Sequence, residues 1–195
     1  MGARWTPLKW FIAVGIINEF ISQFWIQSHH SNYTNSNIYV GIEFALILWQ
    51  FYAWTDGSRV TKTRLLFFRM AALIGFFAWI GDNLLLHRID DNNSLFRIIY
   101  SAIIVLFSID RLNCEAVYEK RRLLHNAIFL VCMTFMVYYA NKAFVESFNL
   151  YHFNIRREFY VLLWVIMNII NIAASILYSI AVLCIRPKTI LQLPY

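Results

Sequence analysis

The chain has 195 residues, of which 60% are hydrophobic, 18% aromatic and only 14% charged, with a mean hydropathy of +0.54. That balance excludes a soluble domain and is the composition of an integral membrane protein. The net charge of +6 and the pI near 9.3 are explained by loop charges that orient a chain in a bilayer, so no nucleic-acid partner is implied.

Six apolar stretches predict helices near 10–27, 38–54, 65–86, 95–113, 123–143 and 159–185. At about 1.5 Å per residue they range from a short span to one that must tilt or protrude from a hydrocarbon core of about 30 Å. The expected fold class is all-α, a six-transmembrane-helix bundle with short loops. Residues 1–195 read as a single multi-pass membrane domain.

Arg4 and Lys9 precede the first stretch as they would in a signal peptide. Asn18 and Glu19 interrupt its apolar run and no small-x-small cleavage site follows, so it reads as a retained signal anchor. The first loop, SHHSNYTNSN (28–37), is polar and rich in turn formers. The second helix carries Tyr39, Glu43, Gln50 and Trp54, with Gly41 and Ala45 as a small-x-x-x-small pair. DGSRVTKTR (56–64) then opens on an Asp-Gly turn and stacks bases at the membrane face. The third helix contains Arg69 and Asp82, and HRIDDNNS (87–94) closes the next turn. Arg97, Ser101, Ser108 and Arg111 share one face of the fourth helix, and Asn126, Thr134, Tyr138 and Asn141 share one of the fifth. VESFNLYHFNIRRE (145–158) mixes aromatic and charged residues, as a segment in the interface plane does. The sixth helix carries Asn168, Asn171, Ser175 and Tyr178 and ends before Pro187. Steps of three, four and seven place each set on one face, so inward rotation gives a bundle with a polar interior. Trp5, Trp10, Trp25 and Trp54, near span ends, are expected as interfacial anchors.

With the N-terminus inside, eleven of the 17 basic residues fall in cytoplasmic segments, among them Lys120, Arg121 and Arg122. Four (Arg88, Lys142, Arg156 and Arg157) fall outside. Both termini are therefore expected in the cytoplasm, in the plasma or inner membrane of a cell. Cys114, Cys132 and Cys184 are odd in number and widely spaced, which argues for structural thiols over a disulfide frame or a metal site.

Charge at bilayer depth is costly and marks function or pairing. In an antiparallel hairpin, residues at equal depth have a nearly constant summed position, and this pairs Asp82 with Arg97 and Arg69 with Asp110 as two structural clasps. The same geometry sets Glu19 and Glu43 at one depth with no base between them. Two such carboxylates do not both ionise cheaply, so the pair predicts an outward acidic pocket for a proton, a cation or a small amine. Asn18 and Gln23 flank it, and Asn168 and Asn171 stand as hydrogen-bonding partners. Lys142, Arg156 or Arg157 folding inward to neutralise Glu43 is the competing arrangement.

His29, His30, His87 and His152 fall in outer loops without a known ligand frame, and no metal or cofactor is expected. No nucleophile elbow, zinc-protease helix or phosphate loop is present. A lipid-acting enzyme using Glu19, Glu43, Asp82 and His152 would have no motif behind it. Asn32 and Asn92 open glycosylation sequons in outer loops, and Met1-Gly2 with Thr6 fits a myristoylation template. The functional expectation is a non-enzymatic sensing or regulatory subunit. It would meet a membrane or cytoplasmic protein, or a second copy, or anionic lipid, through Arg111, Lys120, Arg121 and Arg122. Its main rival is a small transporter or oligomeric pore using Glu19 and Glu43.

Overall fold

In a membrane-type helix a polar side chain does not end the helix if it finds a partner on a neighbour, and here the helices run past several polar residues that bound the apolar stretches. A computed structural model describes residues 3–29, 31–55, 62–86, 89–118, 123–150 and 157–185. The regular structure among these residues is all helical, with no strand. A 3₁₀ turn at Ala3–Trp5 leads into α1 (Thr6–His29), followed by α2 (Tyr33–Trp54) and α3 (Lys62–Ile80). α3 continues as a π-helical turn, Gly81–Leu86. Then come α4 (Ser94–Tyr118), α5 (Ala127–Leu150), entered through a 3₁₀ turn at Leu123–His125, and α6 (Arg157–Cys184).

By length and composition, three segments are apolar enough to cross a membrane: Lys62–Leu86, Ala127–Leu150 and Val161–Cys184. α1, α2 and α4 carry more polar residues. Much of that polarity is turned onto neighbouring helices. α4 packs on α5, α5 on α6, and α1 on α2.

Pro7 sits in the first turn of α1, where a missing N–H costs nothing. The next amide, Leu8 N, donates to Gln50 Oε1 at 2.6 Å, and Gln50 Nε2 donates to the Arg4 carbonyl at 2.8 Å. A glutamine of α2 thereby satisfies the start of α1. Asn126 does the same for α5 by accepting from Ile128 N at 2.9 Å, while its own amide donates to Glu115.

The core is aromatic. Trp54, Tyr100, Tyr139, Phe96 and Phe135 are fully buried, and Phe51 stacks on Phe107, which stacks on Phe68. Trp54 is therefore no interfacial anchor: it lies against Trp5 and Phe51 inside the bundle. Trp10 is exposed. Cys132 is buried, and all three cysteines are free thiols.

α3 meets α2 through two glycines. Gly75 lies against the Phe44 ring, where a β-carbon would overlap the ring, and Gly41 lies under the Trp79 indole. Only Ala71 and Gly75 of the α-helical part of α3 are buried, so its attachment depends on these close approaches.

Candidate functional site

Glu43 lies on the buried face of α2 with Val40, Phe44 and Ile47, and is 4% exposed. Its Oε1 accepts from the Tyr139 hydroxyl at 2.9 Å, and its Oε2 accepts from the Tyr100 hydroxyl at 2.9 Å and from Lys142 Nζ at 3.3 Å. The Lys142 ammonium also stands 5.1 Å from the Tyr100 ring centre and 5.7 Å from those of Tyr138 and Tyr139. Charge-assisted hydrogen bonds and cation–π contacts thus saturate one carboxylate and one ammonium inside the bundle.

The spacing on α5 builds half of this arrangement. Tyr139, Lys142 and Glu146 follow at three and four residues and share one face. One turn beyond the first pair, Arg97 Nη1 of α4 meets Glu146 Oε1 at 3.6 Å. Arg97 Nη2 donates to Ser36 Oγ at 2.8 Å and Asn37 Oδ1 at 2.9 Å, and Ser94 Oγ donates to Glu146 Oε2 at 2.8 Å. The two acids and two bases balance, so the cluster as a whole is neutral.

A polar cap continues the network to the end of the bundle. Asn37 Nδ2 donates to the carbonyls of Ile89 and Asp91, and Trp79 Nε1 donates to the Asn37 carbonyl. Asp82 Oδ2 accepts from Phe96 N at 2.7 Å, placing a carboxylate at the N-terminus of α4, where orphan amides and the helix dipole favour negative charge. Asn93 donates to Asn83 Oδ1.

This geometry revises the pairings read from hairpin register. The base on Glu43 is Lys142, and the acidic pocket expected between Glu19 and Glu43 is replaced by an internal ion pair. Equal depth fixes height but not azimuth: Glu43 turns toward α4 and α5, whereas Glu19 is exposed on α1. Arg97 pairs with Glu146, and Asp82 caps α4 instead of forming the expected clasp. Asp110, 62% exposed at its side chain, pairs with Arg64 at 3.3 Å, one turn nearer the start of α3 than Arg69, which is exposed.

Asn18 accepts from Asn35 in a knot of Ser22, Asn32 and Asn35 at the α1–α2 end. Gln23 is exposed, and so are Asn168 and Asn171, which face outward from α6. Of the expected ligand set only Glu19 and Asn171 come together. With Ser175 and Ser179 they line an open groove between α1 and α6. Arg111 bonds Glu115 at 2.6 Å. Lys120, Arg121, Arg122, Arg156, His30, His87 and His152 lie outside the described residues.

Sequence reasoning missed Tyr100, Tyr139 and Glu146. Glu146 stands four residues after Lys142 and seven after Tyr139, a spacing that could have revealed it. In comparisons with known proteins, no family model, curated protein or solved structure matches this chain, so the site is read from its own chemistry.

Proposed function

We propose that the chain crosses the bilayer six times with both termini in the cytoplasm, and serves the plasma or inner membrane as a non-enzymatic sensing or regulatory subunit. Large exposed hydrophobics on the three more polar helices support six spans: Phe20 (74% exposed) and Phe24 (71%) on α1, Trp49 on α2 and Leu106 on α4. A water-soluble surface does not carry such a belt. The excess of basic residues in alternate loops supports the orientation.

The single observation that carries the functional reading is the Glu43–Lys142 pair within its ring of tyrosines. A buried ion pair is rarely needed for stability alone, since well-packed apolar residues hold a core as well or better. A carboxylate surrounded by aromatic faces is also the chemistry that recognises an ammonium group. In this protein the chain's own lysine fills that place. A proton, a cation or a small amine that competes for Glu43 would release Lys142 and alter the contact of α5 with α2 and α4. The basic segment from Asp110 to Arg122 would pass that change to a partner.

The test is chemical replacement. Lys142→Ala vacates the ammonium position while keeping Glu43 and the tyrosines. Thermal unfolding of the detergent-solubilised variant, scanned over pH and over alkali cations, divalent cations and ethylammonium, should show stabilisation by ethylammonium that the Glu43→Gln, Lys142→Ala double variant lacks. A flat profile in both would reduce the site to packing.

One observation favours a second reading. Glu19, Asn171, Ser175 and Ser179, together with Ile172 and Ile176, line an open groove that places polar groups on a face lipid would otherwise cover, as the subunit contact of an oligomeric pore or a cation path would. Cation flux in liposomes, abolished by Glu19→Gln and insensitive to Lys142→Ala, would select it.

A further inference from the structure

At the end of the bundle opposite the ionic cluster, residues of α2, α3 and α4 line a cavity of about 450 Å³, within the size range of small-molecule pockets. Its interior is apolar, walled by Phe51, Phe67, Phe68, Met70, Ile74 and Phe107. Its rim is polar, with Thr55, Thr63, Arg64, Asp110 and Arg111. The apolar well and the charged rim are stacked along the helix axes, which is the arrangement of a lipid: chain toward the membrane centre, headgroup toward its face.

We infer that this cavity binds an anionic phospholipid, with one acyl chain in the phenylalanine-lined well and the phosphate on Arg64 and Arg111. The inference rests on the membrane-spanning reading above. Around the rim Arg64, Arg111 and Lys62 outnumber Asp110 and Glu115, and this net positive charge selects an anionic headgroup. The Arg64 side chain is 31% exposed and its guanidinium donates to Asp110 at 3.3 Å and to Cys114 Sγ at 3.1 Å. The Asp110 contact is with a mostly exposed carboxylate, the kind of ion pair that contributes little, so a phosphate takes its place and Asp110 turns to water. Arg111 is held at the rim by Glu115, and its Nε is buried without a hydrogen-bond partner. Lys62 is exposed beside Thr63 at the start of α3 and adds positive charge at headgroup level. Basic pockets between membrane helices are a recurrent anionic-lipid chemistry.

The experiment uses the full-length protein extracted from the membrane fraction in detergent; its recovery from that fraction tests the membrane reading separately. Thermal unfolding is followed during titration with phosphatidylglycerol, with phosphatidylcholine of the same chains, and with glycerol 3-phosphate. Phosphatidylglycerol should raise the midpoint at concentrations where the other two do not. Arg64→Gln, a change at the half-buried rim outside the aromatic core, should weaken the response about fivefold, the effect of one basic residue near an anionic surface. Ala71→Leu fills the well from α3 and should abolish the response, with circular dichroism reporting whether it folds. Equal response to both lipids, a response to glycerol 3-phosphate alone, or an unchanged titration in Arg64→Gln would overturn the inference.

Discussion

Glu43 of α2 and Lys142 of α5 are 99 positions apart in the chain and 3.3 Å apart in the fold. No turn or hairpin brings them together, so their contact reports whether the first and second halves of the bundle have docked. Each residue is buried, at 4% and 8% exposure, and neither has bulk water to fall back on.

Breaking the pair from one side should therefore be costly. Lys142→Met or Glu43→Gln alone is expected to lower stability by about 3–5 kcal/mol, because each strands an opposite charge, whereas the double replacement should recover a large part of the loss. A double-mutant cycle measured by thermal unfolding in detergent checks this. Additive losses would mean that the two side chains do not interact.

The tyrosines make a second, smaller test. Tyr100→Phe and Tyr139→Phe each remove one hydroxyl donor from a buried carboxylate and should cost about 1.5–3 kcal/mol. Tyr138→Phe removes no bond to Glu43 and should cost less. The three variants compared in one detergent decide between hydrogen bonding and ring packing as the source of stability.

Gly75 provides a steric prediction. Gly75→Leu drives a side chain into Phe44, and overpacking of this kind costs about 1–3 kcal/mol. Phe44→Ala in the same chain should relieve part of the penalty. A Gly75→Leu variant as stable as the parent would mean that α3 does not lie against α2 at this height.

Asp82 predicts a local effect. Asp82→Ala leaves the Phe96 amide without its acceptor and should cost about 0.5–2 kcal/mol, the range for a lost helix cap, while Asp82→Asn retains a carbonyl acceptor and should cost less. Hydrogen exchange should show faster exchange in the first turn of α4 and little change elsewhere.

Orientation can be tested directly. In a background without native cysteines, Ser28→Cys and Asp90→Cys should label with a membrane-impermeant maleimide on intact cells, and Thr63→Cys should label only after permeabilisation. The reverse pattern would invert the proposed topology.

The helices were readable from their apolar runs, although only three of them are apolar enough to cross a membrane by length and composition, and α4 runs on from the expected end near residue 113 to Tyr118. The ionic cluster was half readable. Glu43, Arg97 and Asp82 stand out as charges at depth, but hairpin register reaches only sequence neighbours and so could not give Glu43–Lys142 between α2 and α5; Arg97–Glu146 does join the neighbours α4 and α5. Glu146 was hidden for a different reason. The apolar run on the fifth helix fades near Lys142, and the following residues look interfacial, yet the helix continues to Leu150 because Lys142 and Glu146 are satisfied by other helices. Asn168 and Asn171 misled in the opposite direction, since a polar stripe gives the same pattern whether it faces the bundle or a groove on its surface.

The π-helical turn at Gly81–Leu86 has one further consequence. Its wide turn lets consecutive residues Asp82 and Asn83 both point inward, at 0% and 1% exposure, while Leu84, Leu85 and Leu86 remain outside. Deleting one leucine there would leave the hydropathy of the segment almost untouched, yet relaxing the turn to ordinary α geometry would rotate the cap away from α4. The number of residues in this turn is accordingly a tighter requirement on any redesign or natural variant than the identity of the leucines that fill it.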